Sequence, residues 1–536
     1  MIKRFSKDID IFFNSSKENK NIFFNLLQPF LLVFVFVLTY IYIYDSKLDL
    51  NGDNFEYINL AKSMVQGKGY ALPYTNDFPP SNWFPPGYSS LLAGIMLIMG
   101  TSISTLKIMN GLLFLAVILI MYRLIIILYT NKALAFTLAL LIILNCGLLR
   151  FSTIIMSEIP YLFFTLLTFY YVTKVKEEIP FYKSKYFYGV LLSSVATYYL
   201  RNIGIVLVGA IAMHWLLEKK WKQAGVYIIG FVLLYLPWII RNSMLGLQSR
   251  YVSTMMAANA WRPEQGELNT VGSFLDKMFT NFVDTVIKGF AEVVFPFINP
   301  NETPSILLIG SVVLILTFIG AWKLNRYRTL FLFYLLGNIA IFLVWHEGNS
   351  SRYVWPLAPF LTICLFGGVY QMIVNLNEKQ KKLVPHYLPY LLLPLAVLNA
   401  FGLKQIHAMA MEKDYEPAYR NYFDMADYVK KLNNNQLVVA CRKPGMFHYF
   451  SDGFVTNYKD TESDRELITD LIDKKVDYLV LEKLGYSSVY RYLRPAVEKN
   501  QDLFQVVYFK ENPNTFLLKF DIEKAKIKLK YIHLQK

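Results

Sequence analysis

The chain has 536 residues, 55% of them hydrophobic, with a mean hydropathy of +0.34, a value a soluble domain of this length rarely reaches. The formal net charge of +15 suggests nucleic acid, but Lys and Arg gather in alternate short loops between apolar runs. That is the signature of membrane topology, so no nucleic-acid partner is expected. Cys146, Cys364 and Cys441 are too few and too scattered for a disulfide framework or a metal cluster.

The first 20 residues are polar and lysine-bearing, with no cleavable signal peptide, so the apolar run at 22–44 reads as a signal anchor. Further apolar runs lie at 103–129, 133–149, 158–174, 186–200, 203–217, 224–240, 305–322, 329–345, 354–374 and 387–403. They approach the roughly 20 residues that a bilayer-crossing helix needs. The stretch 87–99 is shorter and reads as an interfacial or re-entrant helix. These runs predict a polytopic α-helical membrane protein of about 11–13 spans. Segments 1–21, 129–132, 174–185, 217–223, 323–328 and 375–386 hold 19 Lys and Arg, and the intervening short loops hold 6. The imbalance predicts a cytoplasmic N-terminus. Eleven spans then place the loop after the first span, the loop 241–304 and the C-terminal tail outside. The long loop 241–304 reads either as a substrate lid or as a simple surface loop. Heavy use of Lys, Asn, Ile, Tyr and Phe matches an AT-rich bacterial genome, so the membrane expected is a bacterial inner membrane.

Residues 1–403 are predicted to form the membrane domain and 404–536 a small extracytoplasmic α/β domain. Within the tail, 419–432 and 464–474 read as amphipathic helices. The stretches 436–441 and 477–481 read as buried strands, and 506–509 with 515–520 as a closing hairpin.

Asp53 lies just past the first span, and Tyr57 shares its helical face four residues on. A carboxylate outside a lipid-facing helix is placed to serve as a base for a substrate drawn from the bilayer. It also reads as an N-cap, and Glu56 three residues later as the partner in a capping box. Arg201, Arg241 and Arg352 sit at outer ends of spans. A guanidinium there matches phosphate oxygens bidentately, or anchors the helix at the interface. His346 reads as an acid/base group or as a hydrogen-bonder at a helix end. Asp53 and Glu158 are hard-oxygen groups that could converge on a divalent cation, although two ligands are not a site. Lys443, in Arg442-Lys443-Pro444-Gly445, reads as part of a solvated loop.

The ordered set Asp53-x-x-x-Tyr57-x-x-x-Ala61, Gly67-x-Gly69-Tyr70 and Pro85-Pro86-Gly87-Tyr88 resembles the first extracytoplasmic loop of GT-C glycosyltransferases. The likeness is greatest to the bacterial branch related to protein O-mannosyltransferases and the lipid A aminoarabinose transferase. Ser157-Glu158-Ile159-Pro160-Tyr161, Leu200-Arg201-Asn202, Leu236-Pro237-Trp238 with Arg241-Asn242, and Ser351-Arg352-Tyr353 follow in order. The resemblance covers roughly 20–403. It implies a glycosyltransferase that takes one sugar from a polyprenyl-phosphate donor and passes it, with inversion, to an extracytoplasmic acceptor (lipid, glycan or protein). It further implies catalytic roles for Asp53, Tyr57 and Glu158, donor-phosphate binding by Arg201, Arg241, Arg352 and Tyr353, and places for Glu56, Tyr88 and His346 near the site. Many relatives carry a second acid directly after the catalytic Asp. Here it is Asn54, which puts a metal site built on paired acids in doubt. The rival functions are a transporter or flippase for a lipid-linked sugar, and a catalytically inactive binding protein on the same fold.

Overall fold

The structure is a computed structural model and describes residues 26–50, 52–249, 251–298, 304–345, 351–379, 388–434 and 436–534. The polar N-terminal segment ahead of the first span and His346 lie outside these. Helices occupy all eleven predicted apolar runs. Among the described residues, seven helices are long and apolar enough to cross a bilayer: Leu26–Ile43, Ile103–Tyr129, Trp221–Met244, Ser305–Trp322, Asn325–Val344, Trp355–Asn377 and Leu388–Met411. An eighth is possible as the pair Lys132–Ile143 and Cys146–Ser152, bent by 67°. The helices Glu158–Lys174, Lys185–Leu200 and Ile205–Leu217 have 17, 16 and 13 residues. By length, then, the span count falls below the expected 11–13.

The bend in the expected 133–149 run has a local cause. The Asn145 side chain accepts from the Leu148 N–H at 3.1 Å, capping the second helix, and its amide donates to the Val293 carbonyl at 2.8 Å. A side chain that caps ends one helix as it starts the next. The large core of the bundle is aromatic at its centre, where the Phe169 ring meets Phe331, Tyr334 and Phe360 at 4.9, 5.3 and 4.7 Å. The outward faces stay apolar: Ile229 and Leu233 are each 60% exposed, as lipid-facing positions are.

The 241–304 connection is not a plain loop. It carries the helices Tyr251–Met256, Val271–Asn281 and Gly289–Val294. The Lys277 ammonium ties its halves together by donating to the Met255 and Ala257 carbonyls at 2.8 and 3.3 Å.

The last apolar helix runs past the expected boundary at 403 to Met411. Beyond it lies a five-stranded sheet: β1 (Val438–Ala440), β2 (Phe454–Thr456), β3 (Tyr478–Leu481), β4 (Phe504–Lys510) and β5 (Thr515–Phe520), in the order β2-β1-β3-β5-β4. The pairings of β1 with β2 and β3 are parallel, and those of β5 with β3 and β4 antiparallel. Alternation along the strands divides the packing. Ala440, Leu479 and Leu518 face the tail's own core, with Leu467 and Leu471 of the Asp464–Asp473 helix. Val439, Val480 and Leu517 face the other way, into a core shared with Phe55, Tyr57 and Ile58 of the first loop. The backbone also crosses between them, the Val455 N–H donating to the Tyr74 carbonyl at 2.7 Å.

Candidate functional site

Four elements far apart in sequence deliver a charged cluster to the end of the bundle where the tail sits. The first is the start of the Asn54–Val65 helix. Gly52 turns the chain there with φ of +74°, and a Cβ at that position would lie 3.0 Å from the Met156 Cε. Glycine is therefore needed both for the backbone conformation and for the close approach. Asp53 follows. Its backbone carbonyl accepts the first helical bond, from the Tyr57 N–H at 3.1 Å, yet its side chain caps nothing. Instead its Oδ2 accepts from Arg352 Nη2 at 2.8 Å. Glu56 does not close a capping box either; it accepts from the Tyr74 hydroxyl at 2.8 Å. Burial pushes the Glu56 carboxyl up to about 7.

The second element is the N-terminus of the Glu158–Lys174 helix, where a negative side chain is favoured by the helix dipole. Glu158 is fully buried, and its Oε1 takes both Arg352 Nε at 2.7 Å and Arg201 Nη1 at 2.8 Å. Ser157 is the N-cap residue, but its hydroxyl is used elsewhere. It meets the Tyr57 hydroxyl at 3.1 Å and accepts from Arg201 Nη1 at 3.2 Å. The third is Arg201, which ends the Lys185–Leu200 helix, and the fourth is the short Ser351–Tyr353 turn that carries Arg352. The Tyr353 ring lies 5.9 Å from the Arg201 guanidinium.

The structure thus brings together Asp53, Tyr57, Glu158, Arg201, Arg352 and Tyr353, and corrects several of their expected partners. Although Tyr57 follows Asp53 on the same helix, its hydroxyl reaches Ser157, and Arg352 holds the carboxylate. Tyr88 lies one layer beneath, fully buried, with its ring edge-on to Tyr57 at 4.9 Å and its hydroxyl bonded to the Asn110 amide at 3.0 Å. Arg241 is away from the cluster. It donates to the Ser81 and Tyr70 carbonyls, both at 3.0 Å, and stacks on Trp238 at 4.7 Å. Two of its N–H groups are given to the first loop, so it acts as a clamp on that loop at a distance from the cluster.

A metal does not suit the two acids. Arg352 bridges Asp53 and Glu158, so a guanidinium already stands between the carboxylates. Asn54, in the place of a second acid, is turned away and accepts from the Ile155 N–H at 3.0 Å. No group of three His, Cys, Asp or Glu side chains suited to a metal occurs among the described residues.

Lys443 was the residue the sequence hid. The expected solvated loop is instead packed against the first-loop helix. The Asn59 amide donates to the Gly445 carbonyl at 2.8 Å, and a Cβ at Gly445 would lie 2.3 Å from Glu56 Oε1. The available signal was a basic pair followed by Pro-Gly directly after a strand. Chemically, the cluster offers an acid that is about one-third exposed, Asp53, fixed by a cation that has further N–H groups to give.

No protein-family model and no curated protein matches the chain. Solved structures do. The chain is similar to ArnT from Cupriavidus metallidurans bound to undecaprenyl phosphate, with a TM-score of 0.57 and 11% identity over 91% of this chain and 97% of that one. It is also similar to the Archaeoglobus fulgidus oligosaccharyltransferase tethered with an acceptor peptide containing the NVT sequon. There the TM-score is 0.55 and the identity 12%, over 92% of this chain and 74% of that one. At such identity the likeness is one of fold. The chain shares the fold of these two structures.

Proposed function

We propose that the protein is a membrane glycosyltransferase that moves one sugar from a polyprenyl-phosphate donor to the hydroxyl of an extracytoplasmic acceptor, with Asp53 as the base. The observation that carries the reading is the state of Asp53. It stands at a helix start without capping it, is held by Arg352 at 2.8 Å, and keeps about a third of its side chain exposed at the end of the bundle. The undecaprenyl phosphate bound in the ArnT structure of similar fold supports the choice of a lipid phosphate.

In the proposed step the acceptor oxygen attacks the anomeric carbon as its proton passes to Asp53. The bond from that carbon to the phosphate oxygen breaks, and the phosphate leaves with the electron pair, so the configuration inverts. Negative charge grows on the leaving phosphate, where Arg352 can stabilise it. Glu158 and Arg201 hold Arg352 and Ser157 in place beneath. The excess of Lys and Arg in the opposite loops supports placing this end of the bundle, and the tail with it, on the extracytoplasmic side.

The decisive experiment is Asp53→Asn with a polyprenyl-phosphate sugar. Asparagine keeps the size and can still accept from Arg352, but it cannot take a proton. Turnover should fall about 100- to 10,000-fold while the purified variant stays folded and binds donor. Near-normal turnover in that variant would remove the base and with it this reading.

A further inference from the structure

The first-loop cluster is balanced: Asp53 and Glu158 face Arg201 and Arg352, and all four are paired. Arg442 and Lys443, brought to the same place by the tail, are not. Neither makes an ion pair with a carboxylate among the described residues, and both lie over one ring, that of Tyr486, at 5.3 and 5.1 Å. The Arg442 Nε is buried without a hydrogen-bond partner. Glu482, at 2% exposure, has its Oε1 in the same state, while its Oε2 accepts from the Leu484 N–H. Buried polar atoms left open in this way are rare in a folded protein, and each calls for a partner.

Glu482 Oε1 is an acceptor and calls for a donor, whereas Arg442 Nε calls for an acceptor, and position identifies the acceptor. Lys443 begins the Pro444–Ser451 helix, whose first-turn N–H groups add positive potential. Its carbonyl is fixed by the Tyr422 hydroxyl at 3.2 Å. Burial draws the Lys443 ammonium below its usual range, and the charges acting on it are Asp53, Arg442, Glu56 and Arg352. Gly445, two residues on, is bonded to Asn59 and packed against Glu56 of the helix that Asp53 begins, so the tail brings a second cation close to the candidate base.

We propose that Arg442 and Lys443 form an anion subsite, contributed by the tail, that binds a phosphate-type oxyanion of a substrate beside Asp53. The inference rests on the transferase reading and extends it, since the reaction centre would then be incomplete without residues 404–536. Two substrates could present the oxyanion: the lipid donor through its phosphate, or an acceptor that is itself anionic.

The test uses the full-length protein in detergent with two probes: undecaprenyl phosphate alone, and inorganic pyrophosphate added to protein already saturated with the lipid. Lys443→Gln should weaken one of the two about 10- to 100-fold, the loss of a charged hydrogen bond, and Lys443→Arg should restore most of it. Loss on the lipid arm assigns the subsite to the donor, and loss on the pyrophosphate arm assigns it to the acceptor. Wild-type binding of both probes by Lys443→Gln overturns the subsite while leaving the transferase reading intact. Failure of the wild type to bind the lipid overturns that reading first. Should Lys443→Gln not fold, Arg442→Gln carries the same comparison, with thermal unfolding as the check that it is folded.

Discussion

Glu158 provides the sharpest separation between a group that holds the site and one that reacts. It is fully buried, and one oxygen takes two guanidinium bonds, of 2.7 and 2.8 Å. Glu158→Gln retains an oxygen of the same reach but removes the charge. Each of the two bonds then drops from a charge-assisted to a neutral one, a loss of about 1 kcal/mol apiece. The change also leaves two guanidinium groups facing one carboxylate. Removing one partner of a buried ion pair costs about 3–5 kcal/mol. Here the lower end applies, because the Arg201 and Arg352 side chains are 13% and 24% exposed and can recover some hydration. We therefore expect a destabilisation of about 3 kcal/mol. Glu158→Gln combined with Arg201→Gln restores the charge balance and should recover about half of it, a coupling of the size found for residues in one network. Thermal unfolding of the three variants in the same detergent measures the cycle. Activity should not return with stability, because Arg352 loses its buttress in both. Unfolding of Glu158→Gln at the wild-type temperature, or strict additivity in the double variant, would refute the balanced-cluster argument.

Arg352→Lys keeps a cation but not the fork that spans Asp53 and Glu158, so donor binding should weaken about 10-fold or more; unchanged affinity for undecaprenyl phosphate rules out the assignment. Glu56 holds its proton up to about pH 7 in the folded state, against an ordinary value of 4.5. Folding thus binds a proton across that window, and stability contributed at this residue falls as pH rises from 4.5 to 7. Glu56→Gln should flatten the pH dependence of unfolding there, and an identical slope in wild type and variant contradicts the assignment. Reporter fusions after Lys183 and after Lys536 should lie on opposite sides of the membrane, since 19 of the short-loop Lys and Arg fall on the predicted inner side; a shared side removes the proposed topology.

Much of the architecture is periodic, and periodicity survives in a sequence read alone. Every apolar run near helical length holds a helix in the structure, while the helices inside 241–304 went unpredicted. Alternation along 477–481 and 515–520 predicted β3 and β5, because strands half buried on two faces repeat every second residue. Candidate site residues were legible where a charge interrupts an apolar run, as at Glu158, Arg201 and Arg352, because burying a charge in a membrane protein is costly without a partner.

The identity of those partners was not legible. Asp53 and Arg352 are 299 residues apart, and Asp53 was as consistent with a helix cap as with an ion pair until the fold brought the guanidinium to it. Arg241 looked like its neighbours in the sequence and proved to be committed to the Tyr70 and Ser81 carbonyls. The sequence alone determined the helical membrane class, the α/β tail and the charges available to a site, because these follow from local pattern and from the cost of desolvation. Only the tertiary structure decided which charges neutralise one another, that the loop after Lys443 packs against the first-loop helix, and that the tail shares a core with Phe55, Tyr57 and Ile58. Such pairings depend on distances between segments far apart in the chain, which no local pattern encodes.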